Sequence, residues 1–301
     1  MEIKMVDLKI GAGFVPALGT PLDKDGNLIV ESYKKHIEDQ INAGASALLC
    51  MGSMGIEPYI RDDVYPQVAK AAVEAAKGRI PVLVGAMDTS ITRVKSRIEP
   101  LEELDIDALV FTTPFYYACS RDQIVNFFKG VAALTKHNVM IYDLPGVTQS
   151  KITYDIVMEL IETVPNFVGI KSNDTLMFRK LKLNPAVPKE FVMVYSGLDM
   201  FDIAYKWGID KSLDGMLSAT PKNTEKLFKA MAAGDYDTAA ECLNNIVSLR
   251  DCYVANDLWP SFTASMNMLG YEGDFAPDYV SELKPGAYEN IKAEMIRIGE
   301  I

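Results

Sequence analysis

An alternation of short apolar runs with helical patterns, repeated about eight times, limits what this chain can become more than any other feature. The runs fall at 11–18, 47–51, 81–87, 108–114, 139–145, 167–172, 191–197 and 212–219. Between and after them, the stretches 30–43, 62–77, 89–103, 120–135, 153–163, 174–181, 199–207 and 221–232 carry apolar residues at three- and four-residue spacing, the stripe by which an outer helix packs on a core. Strands that alternate with helices pair in parallel through crossover connections. Eight such units predict a closed (β/α)8 barrel, whose functional groups gather where strands end and loops begin. After residue 234 the strand pattern stops, and 235–255, 258–269 and 286–298 read as helices, separated by Trp259-Pro260 and by the loop 270–277. The chain of 301 residues exceeds the roughly 250 of a bare barrel. A barrel over 1–232 and a helical extension over 233–301 account for the difference, with no Ser/Gly-rich or charge-rich boundary to mark an independent domain.

Several functional classes are disfavoured. A net charge of −11 opposes a nucleic-acid partner, which calls for a basic footprint. The opening Met1-Glu2-Ile3-Lys4-Met5-Val6-Asp7 places charges where a secretory signal would be apolar, and no stretch of 18 apolar residues occurs, so a cytoplasmic protein without membrane partners is expected. Cys50, Cys119, Cys242 and Cys252 are widely spaced with no Cys-x-x-Cys, which suggests buried free thiols rather than a disulfide framework or a zinc site. His36 and His137 are the only histidines, a poor supply for metal or triad chemistry. Residues 1–10 read as a lead-in and Asp23-Lys24-Asp25-Gly26-Asn27 as a turn. No Gly-x-Gly-x-x-Gly follows a strand and no Walker motif occurs, so no nucleotide cradle is present. Neither a metal nor an organic cofactor is expected. Lysine, tyrosine, serine and carboxylates remain to act.

Four strand ends hold such residues. Lys171 closes the apolar run Phe167-Val168-Gly169-Ile170, and a lysine there either extends its ammonium to water or to a carboxylate such as Asp143, or is a nucleophile. Burial in a barrel mouth disfavours the charged form and supplies a neutral amine able to form a Schiff base with a keto acid. Strand two ends in Gly52-Ser53-Met54-Gly55, where small residues free backbone N–H groups to hold a carboxylate, or simply make a tight βα turn. Strands four and five end in Thr112-Thr113-Pro114-Phe115-Tyr116-Tyr117 and Tyr142-Asp143-Leu144-Pro145. A tyrosine beside a lysine can carry protons during carbinolamine formation and collapse; a tyrosine at a strand end can equally cap the core.

Taken in order, Gly52-Ser53-Met54-Gly55, Thr113-Pro114-Phe115-Tyr116-Tyr117, Tyr142-Asp143-Leu144-Pro145 and Gly169-Ile170-Lys171, with the opening Ala17-Leu18-Gly19-Thr20-Pro21 through Asp25-Gly26, resemble the dihydrodipicolinate synthase / N-acetylneuraminate lyase family over about residues 11–232. The resemblance implies a class I aldolase-type barrel that holds pyruvate, or the pyruvyl part of a 2-keto acid, as a Schiff base. It makes Lys171 the Schiff-base lysine, Tyr142 the proton carrier and Ser53 the hydroxyl that binds the keto-acid carboxylate. The backbone N–H of Met54 joins Ser53. Tyr116 is the tyrosine inserted into a neighbouring subunit's site, which implies at least a dimer and commonly a homotetramer of paired dimers. Gly197 and Asp199 lie where lyases of the family contact sugar hydroxyls, and Ser218 ends strand eight at the mouth.

The chain also departs from the family's pattern. Met54 stands where a second threonine is usual, and Ile56 replaces the glutamate that follows Gly55, a pattern closer to archaeal 2-keto-3-deoxygluconate aldolases. Val147 stands where synthases carry the arginine for the second substrate's carboxylate. Asn173, Met200 and Ala219 replace polar residues used by sialic acid lyases. The expected activity is therefore cleavage or condensation of a 2-keto acid such as a 2-keto-3-deoxy sugar acid, with pyruvate and an aldehyde as small-molecule partners. The alternatives are a dehydratase using the same iminium, dihydrodipicolinate synthase itself, or an idle barrel that binds a keto acid without turning it over.

Overall fold

In the computed structural model, which describes residues 6–301, each apolar run becomes a strand of one parallel sheet. The first half of the expected lead-in, residues 1–5, lies outside the described residues. The strands are β1 (Gly13–Pro16), β2 (Leu48–Cys50), β3 (Val82–Gly85), β4 (Ala108–Thr112), β5 (Asn138–Tyr142), β6 (Phe167–Ser172), β7 (Val192–Tyr195) and β8 (Lys211–Asp214). Neighbours pair in chain order, β1 pairs with β8, and the bridge between Ala17 and Leu49 joins β1 to β2. This is a closed (β/α)8 barrel. Such strands are covered by helices outside and by each other inside, which is why β2, β3 and β4 are buried along their whole length and read as continuous apolar runs.

The helices are α1 (Val30–Asn42), α2 (Tyr65–Ala76), α3 (Ile91–Ile98), α4 (Arg121–Ala132), α5 (Pro145–Thr148), α6 (Tyr154–Thr163), α7 (Thr175–Leu183), α8 (Phe201–Lys206), α9 (Met216–Ala219), α10 (Pro221–Ala233), α11 (Tyr236–Ala255), α12 (Leu258–Met268) and α13 (Ala287–Arg297). Their starts are written in the sequence. Ser120 and Gln123 form a reciprocal capping box at α4, and the Asp174 and Asp235 side chains accept the N–H groups of Met177 and Thr238 at α7 and α11, satisfying donors that have no partner within the helix. Glu300, the penultimate residue, is buried and accepts the N–H groups of Lys222 and Asn223 at the start of α10, so the end of the extension is fastened back onto the barrel.

Three expected boundaries are corrected. The run 212–219 is not all strand: β8 stops at Asp214, whose Oδ1 accepts the N–H of Met216 at 2.9 Å and turns the chain into α9. Helix 89–103 gives way to a 3-10 turn at Glu99–Leu101, where Pro100 cannot supply an N–H. Trp259-Pro260 lies within the first turn of α12 rather than between helices. Of the four thiols, Cys50 and Cys242 are buried, whereas Cys119 and Cys252 are only half-buried, and all are free. Among the described residues no helix is long and apolar enough to cross a membrane.

Glycine is required where β3 meets the β2 loop. A Cβ on Gly85 would stand 1.8 Å from the Met51 carbonyl oxygen, and Met51 itself has a φ of 53°. Backbone cannot retreat as a side chain can, so Gly85→Ala is expected to lower unfolding free energy by roughly 1–3 kcal/mol or more, measured by denaturant titration; an unchanged midpoint would show that the loop yields freely.

Candidate active site

Register assembles the site. Thr112 of β4 pairs with Tyr142 of β5, and Tyr142 with Lys171 of β6. On the way the β5–β6 register shifts at the Val139/Met140 step, so that Val139 faces Phe167 and Met140 faces Gly169. A one-residue slip exchanges the faces of every following side chain, and this shift fixes the phase in which Lys171 meets Tyr142. The Lys171 amine lies 3.8 Å from the centre of the Tyr142 ring, and both side chains are buried.

The carboxylate next along β5 does not neutralise that amine. Asp143 accepts hydrogen bonds from the Ile152 N–H at 3.0 Å and from Ser172 Oγ at 2.7 Å, and it ion-pairs with Lys151. Lys151 also reaches Asp174 at 3.2 Å. Burial works against the Lys151 ammonium, but its bonds to Asp143 and Asp174 outweigh it, and its pKa lies above the ordinary lysine value. Asp143 thus belongs to Lys151, and among the described residues Lys171 makes no ion pair.

Across the mouth, the loop Gly52–Gly55 runs close under its neighbours. The backbone N–H groups of Ser53, Met54 and Gly55 meet no backbone acceptor among the described residues, while Thr20 Oγ1 donates to the Gly55 carbonyl at 2.8 Å. Consecutive free N–H groups of this kind make an anion-binding concavity. The Met54 side chain crosses to β8, where a Cβ on Gly215 would come within 1.9 Å of its Cγ. Gly197 carries no side chain because the Tyr195 hydroxyl would stand 2.5 Å from a Cβ there.

Other expected residues sit differently. Both oxygens of Asp199 are held by Arg250 of α11, at 2.6 and 2.8 Å, and that bond keeps its carboxyl below the usual aspartate range. Ser218 lies in the α9 turn rather than at the end of a strand, fully buried, with its Oγ donating to the Gly215 carbonyl at 2.7 Å. Tyr116 is 75% exposed, with φ at 88° and its ring 4.8 Å from that of Tyr117, so within one chain it is not gathered with Tyr142 and Lys171. Three residues at the mouth were not singled out from the sequence. Asp214 ends β8 after Lys211-Ser212-Leu213, with no apolar run to mark it; burial pushes its pKa up against the Met216 N–H and the charges of Lys171 and Arg250. Arg250 and Trp259 come from the extension and carry no local signal.

With this geometry in hand, the comparisons with known proteins are decisive for the family. The model of the dihydrodipicolinate synthetase family matches residues 11–277. The chain belongs to that family. Its members are pyruvate-dependent class I aldolases and lyases, and the chain is a carbon–carbon lyase of this type. It is 29% identical over 240 residues to the 4-hydroxy-tetrahydrodipicolinate synthase of Rhodopseudomonas palustris, covering 79% of this chain and 80% of the relative. It is 25% identical over 291 residues to that of Acidiphilium cryptum, covering 95% and 98%. In fold it resembles the dihydrodipicolinate synthase of Thermotoga maritima, with a TM-score of 0.87 at 20% identity over 97% of this chain and 100% of the other. It also resembles YagE, a prophage protein of the dihydrodipicolinic acid synthase family from E. coli K12 in complex with pyruvate, with a TM-score of 0.84 at 20% identity over 96% and 98%.

Glu57, just beyond the Gly52–Gly55 loop, offers a pH test of the mouth's packing. It is fully buried, neither oxygen has a hydrogen-bond partner among the described residues, and Arg97 Nε stands 3.8 Å away. Burial pushes its pKa from the usual 4.5 up to about 8, with Arg97 opposing and Asp88 and Asp62 adding. A folded carboxyl that keeps its proton above its unfolded value contributes stability that is full below about 4.5 and lost as pH rises to about 8. Glu57→Gln keeps the neutral shape, so its thermal midpoint is expected to fall less than the wild type's between pH 5 and pH 8; parallel curves would remove Glu57 as the cause.

Proposed function

We propose that the chain is a Schiff-base-forming aldolase/lyase that breaks or makes the C3–C4 bond of a 2-keto acid, with Lys171 as nucleophile, Tyr142 as proton carrier, and Ser53 with the N–H groups of Ser53 and Met54 as the carboxylate cradle. The observation that carries this reading is the buried Lys171 amine lying 3.8 Å over the Tyr142 ring while the nearby Asp143 is held by Lys151.

In cleavage, the neutral amine adds to the keto carbon. Tyr142 passes a proton to the resulting hydroxyl, water leaves, and an iminium remains. The tyrosinate then takes the proton of the C4 hydroxyl, the C3–C4 electrons flow into the iminium, and an aldehyde departs from an enamine. Protonation of the enamine carbon and hydrolysis release pyruvate and restore the amine. All atoms come from substrate and water.

Substrate choice turns on Val147, which follows the end of β5 and is 63% exposed. Arginine binds a second carboxylate as a bidentate fork, and valine supplies nothing comparable. The aldehyde half is therefore not anionic. Two classes fit, a polyhydroxylated chain as in a 2-keto-3-deoxy sugar acid, or an apolar one.

Tyr116, exposed and held at φ 88°, is assigned to the neighbouring subunit's site in a homotetramer built as a dimer of dimers, since a closed symmetric assembly lets one side chain complete another subunit's site. Sedimentation at assay concentration is expected to give a dimer or larger, and a fully active monomer would refute the assignment.

Borohydride with saturating pyruvate is expected to fix a reduced adduct on Lys171. Lys171→Ala abolishes trapping with the fold intact, and Tyr142→Phe lowers turnover by about 10²–10⁴-fold. Full labelling of Lys171→Ala, or a Tyr142→Phe enzyme at the wild-type rate, would remove the assigned roles.

A further inference from the structure

One strand over from Tyr142, the ends of β2 to β5 and the first turn of α12 enclose a cavity of about 230 Å³. Its body is walled by Met87, Phe115, Leu144, Val147 and Trp259. Two of the hydroxyls around that body already have partners. The Tyr59 hydroxyl is bonded to that of Tyr279 at 3.2 Å, and Thr148 Oγ1 donates to the carbonyls of Leu144 and Ser150 at 3.2 and 3.3 Å. Ser53 and Thr112 complete the lining, and register sets Thr112 beside Tyr142. The carboxylate expected to receive sugar hydroxyls, Asp199, is engaged by both nitrogens of the Arg250 fork.

We infer that this cavity receives the second reactant and that the reactant is an aldehyde with an apolar body, aromatic or branched aliphatic. This rests on the Schiff-base reading and narrows its substrate to one of the two classes that Val147 allows. An apolar cavity of roughly 150 Å³ admits a benzene ring, so the volume here is sufficient. A hydroxyl placed against these walls loses its bonds to water and finds no partner, which costs about ten- to a hundredfold in kcat/KM for each one buried. The backbone around the cavity is also constrained. The non-glycine residues Ile56, Tyr116 and Asp257, at φ 49°, 88° and 77°, flank the wall segments that carry Pro58 and Tyr59, Phe115 and Trp259. Backbone in this region is costly and collects where a site must be shaped.

The reaction is the reverse of the cleavage above. The enamine carbon attacks the aldehyde carbon, the new alkoxide takes the proton of Tyr142, and water hydrolyses the iminium.

The test uses the full-length enzyme. Borohydride trapping of pyruvate on Lys171 is measured first, then initial rates of pyruvate addition to benzaldehyde, isobutyraldehyde and glyceraldehyde. At least one apolar aldehyde is expected to exceed glyceraldehyde by about tenfold or more in kcat/KM. Trp259→Ala is expected to shrink that ratio by about tenfold, and Val147→Asn, at an exposed position where folding is not at stake, to shift it the same way. Intact trapping with glyceraldehyde equal or preferred, with no aldehyde turned over, or with a ratio unmoved by Val147→Asn overturns the inference and leaves the Schiff-base reading standing. Absence of trapping overturns both.

Discussion

Everything at the mouth depends on strand pairing around a closed ring. Once β1 pairs with β8 and bridges to β2, no edge is left, and the residue that ends each strand is delivered to one rim whatever its chemistry. The register Thr112–Tyr142–Lys171 is a backbone fact before it is a catalytic one. Hydrogen bonds between main chains set the spacing of the three side chains, and the irregularity at Val139/Met140 sets their phase. A site built on strand ends inherits the stiffness of the sheet, which a loop-borne site does not have.

Within that frame, Asp143 takes Lys151 rather than Lys171 as its cation. A buried carboxylate needs its lone pairs filled, and Asp143 fills them with a backbone N–H, a hydroxyl and Lys151. Ser172, next to Lys171 on β6, donates to that carboxylate, and Lys151, arriving after α5, supplies the compensating charge. The pairing between Lys171 and Asp143 that the sequence leaves open is thereby displaced. Beside the amine stand the face of the Tyr142 ring and, near enough to feel its charge, the buried Asp214.

The barrel is legible in the sequence because strands buried on both faces must be apolar throughout and outer helices must be striped, and both patterns repeat. Lys171 stands out in the sequence because a charged residue closes an apolar run, whereas Tyr142 and Ser53, which could equally cap the core or make a tight turn, are picked out only by the family resemblance. Asp214 follows only Lys211-Ser212-Leu213, which is no apolar run, and its carboxylate turns the chain out of β8, so the apolar residues that follow, read as strand, are helical. Gly197 is explained only by the ring of Tyr195 two residues earlier, a contact that no spacing rule predicts. The partner of Asp199 is not legible at all. Arg250 lies 51 residues further on, on a helix whose sequence gives its stripe but not the direction in which it crosses the barrel.

That crossing gives the extension a role beyond size. Glu300 ties the end of the chain to the start of α10, α11 brings Arg250 to the rim after β7, and α12 brings Trp259 to the rim on the side of β2 to β5. The two contributions act on opposite sides of the mouth and in opposite senses: one occupies a carboxylate that could otherwise bind hydroxyls, the other adds apolar wall. The proposed Schiff-base chemistry calls on an amine and a phenol carried by β6 and β5 and on a cradle in the loop after β2. Val147 and the residues that α11 and α12 bring to the mouth lie outside that set. Tyr142 and Lys171 are thus held by backbone register, and the extension reaches the mouth without taking part in that register.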